Sequence, residues 1–167
     1  GPAYPETYFD RGNILQNLKR FDEALASFDR AISLKPDYAE AYYYIGNILL
    51  ELNRFDDALA SYDKAIKFKS DYADAFNNRG VVLNKLKRFD DALASYDRAL
   101  ELKPNYLDAI NNKSKILDEL GRFDEAIVCY EKAIEIEPSL VLPHYNLSIT
   151  NLRLGNFEKG WQDYAWR

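Results

Sequence analysis

Apolar residues along this chain recur at steps of three and four, and polar pairs interrupt them at regular places. Over 39–52 the apolar positions are Ala41, Ile45, Ile48, Leu49 and Leu52, the stripe of an amphipathic helix. Asn53-Arg54 breaks the stripe, and Ala58, Leu59, Tyr62, Ala65, Ile66 and Phe68 take it up again as a second helix. The same alternation continues through the chain and predicts about ten helices: 5–18, 22–34, 39–52, 56–68, 73–86, 90–102, 107–120, 124–136, 141–154 and 158 onward. The predicted class is all-α. Asp56 is placed to cap the helix that follows it, and Asp37, Asp71, Asn105 and Ser139 to cap the next ones. Pro36, Pro104 and Pro138 end helices, because proline disfavours the helical conformation in the residue before it.

The pattern repeats as well as alternates. "RFDDALASYDKAI" at 54–66 and "RFDDALASYDRAL" at 88–100 are near copies, with looser ones at 20–32 and 122–134. Phe21, Phe55, Phe89, Phe123 and Phe157 are each 34 residues apart, as are Leu18, Leu52, Leu86, Leu120 and Leu154. No gap is needed. The organisation read from this is four units at 5–38, 39–72, 73–106 and 107–140, then a divergent, truncated unit at 141–167. Residues 1–4 are expected to be a cleavage scar or the end of a preceding repeat. Gly12, Gly46, Gly80, Ser114 and Ser148 form a small-residue column in the first helices, and Ala24, Ala58, Ala92 and Ala126 one in the second. Small residues let helix axes approach, and Phe28, Tyr62, Tyr96 and Tyr130 are the large residues expected to fill the space beside them.

These columns resemble the tetratricopeptide repeat, whose 34-residue helix–turn–helix unit reads here as Tyr8, Gly12, Leu15, Ala24, Phe28, Ala31, Pro36 and again as Phe76, Gly80, Leu83, Ala92, Tyr96, Ala99, Pro104. The resemblance covers essentially the whole chain. It implies a right-handed superhelical solenoid of stacked antiparallel helix pairs, with the first helices lining a concave groove. A single pair cannot bury its apolar face alone, so copies stack.

Columns that repeat are scaffold, so ligand contacts are expected in columns that vary. By resemblance, the groove-facing positions include Asn13, Tyr43, Tyr44, Asn47, Asn77, Asn78, Asn111, Asn112, Lys115 and Asn146. Asparagine is a mediocre helix former, and its amide both donates and accepts, as a peptide group does. A row of such amides suits an extended peptide held by its main chain. Asn78, Asn112 and Asn146 also resemble the asparagine ladder of O-linked N-acetylglucosamine transferases. The other reading is that these amides bond between adjacent helices. The family's clamp for a terminal carboxylate is not matched, because its basic places hold Tyr43, Asp108 and Asn112. Tyr43 and Tyr44 are either ligand anchors or packing against the next helix pair. Glu6, Glu40, Asp74 and Asp108 form an acidic row that suits helix N-termini.

Charge and composition narrow the function classes. The net charge of −5 argues against binding a phosphate backbone. No apolar window is long enough to span a membrane. One cysteine, Cys129, excludes an internal disulfide and makes a reducing, cytoplasmic setting the simplest expectation. Cys129 shares a column with Ser27, Ser61 and Ser95, and His144 shares one with Tyr42 and Phe76, so both read as packing residues. No catalytic residue, metal or cofactor is expected.

The fifth unit departs from the pattern with Gly160, Trp161 and Trp166, and an uncovered face including Tyr164 and Trp166 is expected there. The segment "LRLGNFEKGWQDYAWR" resembles the junction at which bacterial repeat proteins run into a glycosyltransferase-like domain. The expected function is a non-enzymatic scaffold that holds a protein or peptide in its groove. The alternatives are the substrate-recruiting arm of a glycosyltransferase, and a module that self-associates through its uncapped C-terminal end. The packing columns yield one prediction independent of function. Replacing Ala58 or Ala92 by phenylalanine should lower stability by about 1–3 kcal/mol through overpacking, measured by urea denaturation.

Overall fold

The computed structural model describes residues 4–164. Among them there are ten helices and no strands: α1 (Pro5–Asn17), α2 (Phe21–Leu34), α3 (Ala39–Glu51), α4 (Phe55–Phe68), α5 (Ala73–Lys85), α6 (Phe89–Leu102), α7 (Leu107–Glu119), α8 (Phe123–Ile136), α9 (Val141–Arg153) and α10 (Phe157–Tyr164). The expected limits hold to within about one residue. The chain divides between Arg88 and Phe89 into two compact units. Trp166 and residues 1–3 lie outside the described residues.

In the unit ending at Arg88, each helix packs on its neighbours in sequence, α1 on α2 through α4 on α5. Its core is built from Leu15, Ala24, Phe28, Ala31, Ile45, Ile48, Leu49, Ala58, Tyr62 and Val82. The small-against-large expectation is realised directly. A β-carbon added at Gly12 would lie 2.5 Å from the Phe28 ring, and one at Gly46 would lie 2.7 Å from the Tyr62 ring. Only glycine lets these helices close on their aromatic partners. In the unit beginning at Phe89, α6 packs on α7, α7 on α8, α8 on α9 and α9 on α10. Ser114 and Ser148 hold the small-residue column there, and both are buried.

The helix starts differ from the expected caps. The N-cap residues are Arg20, Arg54 and Arg122 for α2, α4 and α8, and Tyr38, Tyr72, Tyr106 and Leu140 for α3, α5, α7 and α9. None of these makes a side-chain cap. Asp56 therefore sits inside the first turn of α4, where its charge faces the positive end of the helix dipole. Asp37, Asp71, Asn105 and Ser139 fall one residue before the cap. They lie within a tight turn that is closed by backbone bonds such as Tyr38 N–H to Lys35 O (3.1 Å) and Tyr72 N–H to Lys69 O (3.2 Å). A lysine ammonium rests over the cap tyrosine in three of these turns, Lys35 on Tyr38, Lys69 on Tyr72 and Lys103 on Tyr106, at 4.2–4.6 Å. The arginine caps work through their ends. The Arg54 carbonyl accepts from Ala58 N–H, while its guanidinium holds Asp57.

The turn inside each helix pair uses a second device. Lys19, Asn53, Lys87, Gly121 and Gly155 share one column, and all have a left-handed backbone, with φ between 58° and 80°. The next residue then reaches back to the preceding helix, as in Arg54 N–H to Leu49 O at 2.8 Å, which completes a Schellman motif. Gly121 and Gly155 adopt this conformation freely, whereas the lysines do so against the steric preference of an L-residue.

Proline is not what ends the second helices. Lys69 has φ −139° and ψ 88° before Ser70, almost the same as Lys35 before Pro36 at −135° and 89°. The backbone at Lys69 is thus already shaped for a following proline. Ser70→Pro should raise stability by about 0.4–1 kcal/mol by restricting the unfolded chain. A shift of the urea midpoint with an unchanged slope would show it.

Candidate functional site

The predicted site residues of the unit ending at Arg88 are drawn into one hydrogen-bonded network. Asn47 on α3 is its hub. The Asn47 Oδ1 accepts from the Tyr62 hydroxyl at 2.7 Å and from Asn78 Nδ2 at 2.9 Å. Asn78 Nδ2 also reaches the Tyr43 hydroxyl at 3.3 Å, and Asn78 Oδ1 accepts from Asn77 Nδ2 at 3.0 Å. Asn77 is buried. Three helices, α3, α4 and α5, meet at this hub, and its amides spend most of their capacity on each other. Burial holds the Tyr62 phenol well above its ordinary range, so the phenol stays a neutral donor.

The two tyrosines between which the sequence left a choice are partly packing residues. Tyr43 lies against Tyr72 (4.8 Å between ring centres), Tyr44 (5.3 Å) and Tyr62 (6.0 Å). Tyr44 stacks on Phe28 at 5.9 Å and meets Phe9 edge-on at 5.5 Å. Both remain half-buried, so each also shows part of a ring to solvent. Asn13 occupies the column of Asn47, but its neighbours in the corresponding columns are Phe28 and Tyr44 instead of Tyr62 and Asn78. Phe28 has no hydroxyl to donate and the Tyr44 hydroxyl makes no hydrogen bond to it, so Asn13 Oδ1 is buried without a hydrogen-bond partner, as is Gln16 Oε1 one turn on.

In the unit beginning at Phe89 the same columns produce an opening. A cleft of about 520 Å³ between α7, α8 and α9 brings together four predicted residues, Asn111, Asn112, Lys115 and Asn146. Ser114, Asp118, Glu119 and Tyr130 line it as well, with Leu142 and Pro143. Of these six, Asp118 and Leu142 fall on the variable stripe of the first helices expected to face the groove, whereas sequence reasoning did not single out Ser114, Glu119, Tyr130 and Pro143. Their signal was available only by reading a helix face together with the ring column behind it. Lys115 stands in the hub column, where Asn47 accepts two bonds. An ammonium accepts none, so the hub cannot form. The Asn111 and Asn146 side-chain amides and the Lys115 ammonium have no hydrogen-bond or ion-pair partner among the described residues. Tyr130 is pushed up to about 12 by burial and by the neighbouring Asp118 charge. Asp118 is engaged on α9, accepting from Thr150 Oγ1 and Arg153 Nη1, each at 3.3 Å.

Cys129 and His144 sit apart from any such chemistry. The Cys129 thiol is pushed up by burial, which disfavours the reactive thiolate. His144 donates from Nε2 to the Pro138 carbonyl at 3.0 Å, the same contact Tyr42 makes to Pro36 at 3.3 Å. Among the described residues no cluster of His, Cys, Asp or Glu is arranged to hold a metal ion, and no helix is long and apolar enough to cross a membrane.

The hub and the cleft should respond oppositely to mutation. Asn47→Ala leaves the Tyr62 hydroxyl and the Asn78 amide unsatisfied and should cost about 1–3 kcal/mol. Asn111→Ala removes no internal bond and should change stability by less than about 0.5 kcal/mol. Urea melts of the two variants beside the parent check both.

Comparison with known proteins places the chain. Residues 9–73 and 73–106 match the tetratricopeptide repeat, and residues 115–155 match a TPR repeat. No curated protein sequence matches. Among solved structures, YrrB, described as a TPR protein with an unusual peptide-binding site, is 29% identical over 93% of this chain and 80% of its own, with a TM-score of 0.80. MamA from Desulfovibrio magneticus RS-1 is 20% identical over 96% and 91%, with a TM-score of 0.85. PilF of Pseudomonas aeruginosa is 18% identical over 96% and 73%, with a TM-score of 0.82. The last two share the fold alone. Tandem matches to one repeat, together with ten helices paired in a 34-residue rhythm, make this chain a member of the tetratricopeptide repeat family.

Proposed function

We propose that this chain is a protein-interaction scaffold whose ligand is an extended peptide segment, held in the cleft between α7, α8 and α9. One observation carries the reading: Lys115 replaces the hub asparagine, so the Asn111 and Asn146 amides face a cleft with no internal partner. Each amide offers a donor pair and an acceptor, the complement of a peptide group. Lys115 adds a cation that favours a carbonyl or an acidic side chain beside it. Leu142 and Pro143 give the cleft an apolar wall. The peptide-binding site described for YrrB supports the class of ligand. The Asn47–Asn78 network contributes to stability in this scheme and makes no direct ligand contact.

The test is selection of a random dodecapeptide library on the folded protein, followed by calorimetry with the enriched peptides. Lys115→Asn rebuilds the hub and Asn146→Ala deletes an open amide. Each should weaken the selected peptides at least tenfold without lowering the melting temperature. Peptides that bind both variants as they bind the parent would place the site elsewhere.

A further inference from the structure

The first helix of each pair carries a ring near its start, and one pair lacks it. Tyr8, Tyr42, Phe76 and His144 share a column with Ile110. The ring makes two recurring contacts. Its polar tip donates to the carbonyl of the proline in the turn before it, Tyr42 to Pro36 at 3.3 Å and His144 to Pro138 at 3.0 Å. Its face takes a cation from the second helix of its own pair, Arg30 over Tyr8 at 5.8 Å and Lys64 over Tyr42 at 5.3 Å.

At Ile110 both partners are present and the ring is not. Pro104 holds the turn position of Pro36 and Pro138, and Lys132 holds the cation position of Arg30 and Lys64. Ile110 has no donor for the carbonyl and no π face for the ammonium. Its shorter side chain is buried, 2% exposed, whereas Tyr8, Tyr42 and His144 are half-buried and reach the surface. Around Ile110 the structure has a recess of about 230 Å³ between α6, α7 and α8, lined by Pro104, Lys113, Val128, Cys129 and Lys132. Pockets for drug-sized molecules are larger, and this volume suits a single ring.

The rim departs from the repeat as well. Val128 replaces the alanine of Ala26, Ala60 and Ala94 and is 65% exposed, so the recess has an apolar side chain at its mouth. Lys132 holds Glu135 at 2.9 Å and Lys113 holds Asp97 at 2.5 Å. Each ammonium carries three donors, so it can keep its carboxylate while facing a ring.

We infer that this recess receives the phenol ring of a tyrosine presented by a partner protein, which completes the ring column from outside. The phenol donates to the Pro104 carbonyl as Tyr42 does to Pro36, and Lys132 covers the ring as Lys64 covers Tyr42. Val128 packs on the partner chain at the rim. The recess shares no lining residue with the α7–α9 cleft and works independently of a peptide held there.

Nitrogen–proton correlation spectra of the 167-residue chain, titrated with N-acetyl-L-tyrosinamide to about 30 mM, test this. The amides of Lys113, Val128 and Lys132 should shift along one saturating curve with a Kd of about 1–10 mM. Ile110→Tyr fills the recess with the chain's own ring and should weaken binding at least tenfold, with the melting temperature unchanged or raised. Ile110→His, patterned on His144, serves if that variant melts early. Lys132→Met should weaken binding about threefold. N-acetyl-L-phenylalaninamide lacks the hydroxyl, and p-cresol leaves Val128 uncovered, so each should bind more weakly than the tyrosine probe. Absence of saturating shifts at the three amides overturns the inference, as does a filled variant that binds like the parent. Equal binding of the phenylalanine probe removes the contact to Pro104 and overturns it too. Equal or tighter binding of p-cresol assigns the recess to a free phenol and overturns the protein partner.

Discussion

Everything in this structure depends on how closely each first helix can approach the second helix of its own pair. Gly12 under Phe28 and Gly46 under Tyr62 leave no room for one additional carbon. That contact sets the spacing of the pair, and the spacing decides which side chains on the opposite face can reach one another. The Tyr62 hydroxyl meets Asn47 because its ring is pressed over Gly46. A packing constraint in the core therefore positions a polar hub near the surface. Close-packed interiors transmit geometry in this way because they have so little free volume.

Once the spacing is set, single substitutions in one column redirect the chemistry without disturbing the scaffold. Asparagine at 47 accepts from a phenol and an amide and ties α3 to α4 and α5. Lysine at 115 accepts nothing, and the equivalent face of α7 and α9 opens into a cleft. Val81 and Ile149 in the same column carry no polar group at all. A repeat protein thus varies its ligand surface by choosing, unit by unit, whether amides satisfy each other or face outward. Buried polar groups that are left without a partner are costly, which fits the sparing use of Asn13 and Gln16.

Much of this was legible in the sequence. Periodicity located the helices, and the columns of small and large residues anticipated the close approach that the structure realises between Gly46 and Tyr62. The caps were not legible. Aspartate or serine before an apolar run is a common start signal, but here a tyrosine-capped turn stabilised by lysine begins α3, α5 and α7 one residue later. The left-handed turn position was hidden because three of its five occupants are lysine or asparagine, and only Gly121 and Gly155 mark it openly. The fate of each asparagine could not be read from its own column. It depends jointly on the residue in the hub column and on whether the ring behind carries a hydroxyl, as the contrast of Phe28 with Tyr62 shows.

The serine column on the second helices has one further consequence. Ser27, Ser61 and Ser95 each fold a hydroxyl back onto the carbonyl four residues earlier, and Cys129 holds this position on α8 as the chain's one thiol. Burial shields its sulfur and keeps it protonated at neutral pH. Cys129 lines a shallow opening with Leu100, Pro104 and Ile110, so an alkylating reagent meets it slowly while α8 is packed and faster when α8 moves away from its neighbours. The rate of its modification then reports how often that helix opens, so the protein carries a built-in gauge of local unfolding with no engineered label.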